Sequence, residues 1–329
     1  MKRIFPSLAL VAAAALSASS AFASSSTYYL CSTSGCSSGG SSSVSGTYAQ
    51  TKYPIILAHG LAGTSGIGYF YGIPSDLAAN GAKVYVTQVS AFNNVTVRGE
   101  QLLAQTRTIL ALTGAAKVNI MAHSQGAQDS RYVAAVIPGN VASVSTVGGV
   151  NHGSSLADAV SGLTNIPGVG TITAAVLSSI INAYETYVSV TQGTSYEQNA
   201  IAAMKQLTTA GVNAFNASYP AGLPTTSCGS GPATANGVAF YSWSGTGHLT
   251  NVLDPSDAAL ALTGLAFGST GNDGAVGECA SHLGTVIRDN YNMNHLDEVN
   301  QMYGLVSIFE TSPVTLFRNQ ANRLKTAGL

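Results

Sequence analysis

Ala122-His123-Ser124-Gln125-Gly126 places a serine between small residues two positions to either side. That spacing suits a sharp strand-to-helix turn, which strains the serine backbone and lifts its hydroxyl above the sheet edge. Gly35-Cys36-Ser37-Ser38-Gly39 fits the same spacing, but low-complexity sequence surrounds it, with no strand before and no helix after. Context therefore selects Ser124. A serine hydroxyl is a weak nucleophile until a base takes its proton and an acid holds that base. Six histidines are available. His59 follows an apolar run, His123 adjoins Ser124 and points elsewhere, and His152, His248 and His282 carry no carboxylate pattern that singles them out. His295, in Asn294-His295-Leu296-Asp297-Glu298, sits near the C-terminus, where the base follows nucleophile and acid in parallel-sheet hydrolases. Asp273, in the tight turn Asn272-Asp273-Gly274, is the acid candidate between them, although any Asn-Asp-Gly is also a good turn in its own right. Two backbone donors must meet the oxyanion of such a reaction. The candidates are the amide of Gln125 and that of Leu61, in the loop His59-Gly60-Leu61-Ala62-Gly63. Asp254, Asp297 and Gln301 add oxygens of the kind a hard cation takes, a pattern that solvated surface acids produce as well.

Short apolar runs at 53–58, 83–88, 117–122 and 142–147 read as buried strands. Between them, 97–112 has Leu102, Leu103, Thr106, Ile109 and Leu110 at helical spacing, and a second helix is expected over 125–137, ended by Pro138. Strands alternating with helices imply an α/β fold with a mainly parallel sheet covered on both faces. Segment 161–184 carries no charge, and Ile172, Val176, Ile180 and Tyr184 recur every four residues. This pattern suits an ordinary core helix and a helix covering an apolar site equally.

Charged residues make up 8% of the 329, against about 25% in ordinary globular chains. That balance excludes charge-driven disorder and any basic footprint for nucleic acid. Lys2 and Arg3, the apolar stretch 8–16 and Ala21-Phe22-Ala23 form an export signal over 1–23, cut after Ala23. Beyond it no run of about 18 apolar residues remains to span a membrane. Residues 24–46 are almost entirely Ser, Gly, Thr and Tyr and read as a flexible leader, with folding expected to begin near Tyr53. Export permits disulfides. The four cysteines allow three pairings, and spacing favours Cys31 with Cys36 and Cys228 with Cys279.

The residues that carry a family resemblance run from about 47 to 329. They include Lys52-Tyr53-Pro54-Ile55 through His59-Gly60, Val97-Arg98-Gly99-Glu100-Gln101-Leu102-Leu103, Arg131-Tyr132-Val133-Ala134-Ala135, Tyr241-Ser242-Trp243-Ser244-Gly245 and Leu253-Asp254-Pro255-Ser256-Asp257. Asn272-Asp273-Gly274, Ser281-His282-Leu283-Gly284 and the stretch from Met293 to Gln301 complete them. The chain resembles the secreted bacterial triacylglycerol lipases of the Pseudomonas and Burkholderia type, which have an α/β-hydrolase fold. The resemblance implies Ser124 as nucleophile, Asp273 as acid, His295 as base and the Leu61 and Gln125 amides as oxyanion donors. It implies a structural calcium held by the carboxylates of Asp254 and Asp297 and the carbonyls of Gln301 and Leu305, and a disulfide between Cys228 and Cys279. It also implies a lid over about 155–190, long-chain acylglycerol substrates at a lipid–water interface, and a membrane-anchored foldase that assists export through the periplasm. An esterase or polyester depolymerase with the same triad is the alternative, and a silent hydrolase fold used as a binding module is another. Ala122 and Ala127 stand where the family usually has Gly, and the leader with Cys31 and Cys36 has no counterpart in it.

Overall fold

The computed structural model describes residues 25–66, 68–164 and 196–329. The expected export signal and most of the expected lid therefore lie outside the described residues. No helix among those described is long and apolar enough to cross a membrane.

The four expected strands appear as β3 (Ile55–Ala58), β4 (Val84–Thr87), β5 (Val118–His123) and β6 (Val141–Val147), every residue of them buried. All four pair in parallel. Alternation divides each strand between two cores: Ile55 and Leu57 join one, Ile56 and Ala58 the other. Near-continuous apolar runs follow, because a parallel sheet has no wet face. Helix α1 (Ile73–Ala79) lies between β3 and β4. Helix α2 (Val95–Thr113) is capped by the Asn94 side chain, which accepts from the Val97 amide at 3.1 Å, and it stops at Gly114 with φ 64°. Helix α3 (Gly126–Val136) follows β5 directly and packs against α2.

Further strands enlarge the sheet beyond the sequence reading. β8 (Val238–Gly245) pairs in parallel with β6, and β9 (Thr285–Tyr291) in parallel with β8, while the two-residue β7 (Thr234–Ala235) is antiparallel to β8. With β1 (Ser25–Ser32) and β2 (Gly35–Ser43) at one edge, the order across the main path is β2-β1-β4-β3-β5-β6-β8-β7. After β6 come α4 (Ser155–Thr164), α5 (Ala200–Leu207) and α6 (Thr209–Ser218). Then follow α7 (Asp257–Gly264), the short distorted turn α8 (Gln301–Gly304) and the closing α9 (Pro313–Thr326).

The flexible leader is a correction. Residues 25–43 form a hairpin, β1 (Ser25–Ser32) and β2 (Gly35–Ser43), that extends the sheet beyond β4. Tyr29 of β1 registers with Tyr85 of β4 and stacks on it, ring centroids 5.2 Å apart. Cys31 is buried and bonded to Cys36 across the turn. The Gly and Ser of β2 resemble linker, yet the pattern serves packing: a Cβ at Gly39 would fall 2.4 Å from the Tyr28 ring. The second disulfide joins Cys228 to Cys279.

Candidate active site

Ser124 sits where β5 passes into α3, with φ 56°. Few residues besides glycine hold that left-handed conformation without strain. The turn is clamped: the Ser124 amide donates to the Val147 carbonyl, and the Ser124 carbonyl accepts from Ala127 and Val150. The small neighbours are sterically required. A Cβ at Gly126 would meet the Ala58 and His59 carbonyls at 2.8 Å, and one at Gly60 would meet Ser124 Cβ at 2.4 Å.

Asp273 and His295 come together from two loops. His295 Nδ1 donates to Asp273 Oδ2 at 2.7 Å, and the His295 amide donates to the Asp273 carbonyl at 2.8 Å. The other Asp273 oxygen accepts from the Ala275 and Val276 amides at 2.8 and 2.6 Å. Asp273 is thus turn-former and histidine partner at once. His295 and Ser124 line one cavity of about 360 Å³, walled by Leu61, Val150, Met204, Leu207, Val276 and Leu296. No hydrogen bond joins the Ser124 hydroxyl to His295 among the described residues. Such contacts are often long until substrate closes them. The amides of Leu61 and Gln125 likewise donate no hydrogen bond among the described residues.

The rings of four of the other five histidines have hydrogen-bond partners of their own. His59 is buried, with Nε2 accepting from the Val89 amide at 3.2 Å and Nδ1 donating to the Gly60 carbonyl at 2.9 Å. Burial and then the Arg98 charge lower its pKa to about 3. His282 pairs with Asp289 at 3.0 Å, and His248 with Asn272 Oδ1 at 2.8 Å. His123 lies within the site: burial above all, then His295, hold its pKa well below the usual 6.5.

Sequence reasoning did not find the residues behind these. Arg98, fully buried, bonds Asp129 Oδ2 through Nε at 2.9 Å and the His59 carbonyl through an Nη at 2.8 Å, fixing the strand end just before the Leu61 loop. Glu298 is buried under the triad, accepting from the Gly245 amide at 2.5 Å. Burial first and the Asp273 charge second push its pKa well up. A buried carboxyl of this kind leaves no trace in a sequence, because its surroundings come from distant parts of the chain.

Asp254 and Asp297 pass a test of fit for a cation. One oxygen of each is satisfied by protein: Asp254 Oδ1 accepts from the Ser256 amide and hydroxyl at 2.7 Å, and Asp297 Oδ2 from Thr250 at 2.7 Å and the Asn294 amide at 3.0 Å. Asp254 Oδ2 and Asp297 Oδ1 are buried and have no hydrogen-bond partner among the described residues. Burial and the charges of Asp254 and Asp257 raise the Asp297 pKa to about 6. Two bare carboxylate oxygens in a buried pair are the donor chemistry a hard cation satisfies. Gln301 opens α8 and Leu305 caps it, on the stretch just beyond Asp297.

The model of the α/β hydrolase fold family matches residues 53–252. A triacylglycerol lipase of Vibrio cholerae serotype O1 is 51% identical over 286 residues, spanning 86% of this chain and 90% of that protein. A triacylglycerol lipase of Pseudomonas fragi is 44% identical over 293 residues, spanning 85% and 98%. Among solved structures, the mature Bacillus licheniformis lipase BlEst2 overlays with a TM-score of 0.51 at 21% identity, covering 75% of this chain and 86% of that one. At that identity the overlay speaks for the fold alone. With two relatives above two-fifths identity along nearly their whole length, the chain belongs to the triacylglycerol lipase family of the α/β hydrolases.

Proposed function

We propose that the protein hydrolyses the ester bonds of long-chain triacylglycerols at a lipid–water interface, through an acyl-enzyme on Ser124. The reading is carried by one observation: a left-handed serine and an Asp273-bound imidazole open onto the same apolar cavity. His295 takes the hydroxyl proton as Ser124 attacks the ester carbonyl, then returns it to the departing alcohol. Asp273 keeps Nδ1 protonated and stabilises the imidazolium. The unengaged amides of Leu61 and Gln125 receive the oxyanion, a donor of this kind being worth about 3 kcal/mol. Water then attacks the acyl-enzyme by the same route in reverse and releases the fatty acid.

We infer further that Asp254 and Asp297, with the main-chain carbonyls of Gln301 and Leu305, would hold a calcium ion. Its role is structural, because Asp297 lies two residues beyond His295 and the ion would tie down the loop that carries the base. Export by the 1–23 signal, with a membrane-anchored foldase as partner, completes the proposal, and two disulfides among the described residues suit that route. Ser124→Ala should abolish release of oleate from emulsified triolein while leaving the melting temperature near that of the wild type. Turnover close to wild type in that variant would reject the nucleophile.

A further inference from the structure

We propose that Tyr69 and His123 are positioning residues, forming a run of three hydrogen bonds that ties the oxyanion segment to the backbone of His295 across the nucleophile. The proposal rests on the reading of Ser124 and His295 given above.

The geometry fixes each proton in the run. His123 Nε2 lies 3.0 Å from the His295 carbonyl oxygen. A carbonyl only accepts, so Nε2 carries the hydrogen. Neutral His123 then has a bare Nδ1, and Tyr69 Oη at 2.6 Å donates its proton there. The Tyr69 oxygen in turn accepts the Gly60 amide at 2.8 Å. Tyr69, His123 and His295 are all buried, so a break would cost a hydrogen bond between largely desolvated groups. The two rings of the run meet edge to face, centroids 5.6 Å apart, which limits their rotation.

Both ends of the run bear on the chemistry. Gly60 precedes Leu61, the donor proposed for the oxyanion, and its backbone presses on Ser124 too closely to admit a Cβ. At the other end, the His295 carbonyl is held by His123 and its amide by Asp273, leaving little freedom to the residue that bears the base. Opposite charges develop at these two ends in the transition state, on the ester oxygen and on the imidazole. A bond run that fixes their separation acts on that state more than on bound substrate. The His123 ring stands 4.4 Å from the His295 ring. Kept neutral by burial, it places no second positive charge beside the imidazolium.

Steady-state kinetics of the full chain on p-nitrophenyl butyrate test this, with Tyr69→Phe, His123→Asn and the double variant. Tyr69→Phe keeps the ring and loses only the hydroxyl. It should lower kcat by about tenfold or more and leave KM within about twofold, as expected when alignment and not binding is lost. The double variant should lose no more than the worse single one, because members of one run fail together. Wild-type kcat in Tyr69→Phe, a rise in KM with kcat intact, or losses that multiply in the double variant would each overturn the relay. Should His123→Asn fold poorly, the kcat and KM of Tyr69→Phe decide alone. Ser124→Ala, measured alongside, separates the two claims: activity surviving there rejects the nucleophile, whereas activity lost there and intact in Tyr69→Phe rejects only the relay.

Discussion

At residue 124 the backbone holds a left-handed turn that costs on the order of 1 kcal/mol or more in isolation. It persists because strands on both sides and two close glycine contacts over-determine it. The same rigidity shapes the buried histidine just before the Gly60-Leu61 loop. His59, with pKa lowered to about 3 from the ordinary 6.5, is held neutral in the fold and takes up a proton near pH 6.5 when unfolded. Its contribution to stability is therefore complete above pH 6.5 and is lost as pH falls from 6.5 towards 3. His59→Gln removes that titration, so its stability should fall less steeply over this window than the wild type's, by up to about 1.4 kcal/mol per pH unit. Guanidinium unfolding followed through Trp243, the single tryptophan and a buried one, reads both slopes. Parallel slopes would mean that His59 is not held neutral.

At the scale of elements, the site depends on loops that leave the sheet at β3, β5 and β8 and on the loop that carries His295. The last has the least regular support. Asn300, Met302 and Tyr303 take φ values of 60, 52 and 59°, and the carboxylates of Asp254 and Asp297 each keep one buried oxygen bare. A cation there would replace like-charge repulsion by attraction and hold the loop. An ion present at a thousand times its Kd stabilises the fold by about 4 kcal/mol. Chelation should thus lower the melting temperature of the wild type, and Asp254→Asn should melt early with or without chelator. A wild-type melt indifferent to chelation would remove calcium from the account. The N-terminal hairpin is the element whose composition misled most. Its Ser and Gly carry no periodicity, and its order comes from two contacts distant in sequence, the β4 edge and the Tyr85 ring, together with the local Cys31–Cys36 bridge.

Across the whole molecule, legibility followed locality. The core strands and the two helices beside Ser124 are strong local patterns, and the observed bounds differ from the sequence reading by no more than a few residues. The left-handed turn at Ser124 was legible because the elbow sterics are local, and the turn at Asp273 because it is local too. His295 was chosen from six histidines by order along the chain, and the fold brings it to the cavity of Ser124. Tyr69, Arg98 and Glu298 left no such local signal, since each is held by a buried hydrogen bond to a group distant in sequence: Tyr69 to the His123 ring, Arg98 to the His59 carbonyl and Glu298 to the Gly245 amide. The central claim is that one serine carries the acyl group. Its most direct test is stoichiometric labelling with a fluorophosphonate, followed by peptide mapping and residual triolein hydrolysis. One adduct per chain is expected, on Ser124, with activity falling in step with labelling. Complete loss of activity with Ser124 unmodified, or full modification of Ser124 with hydrolysis intact, would contradict the claim.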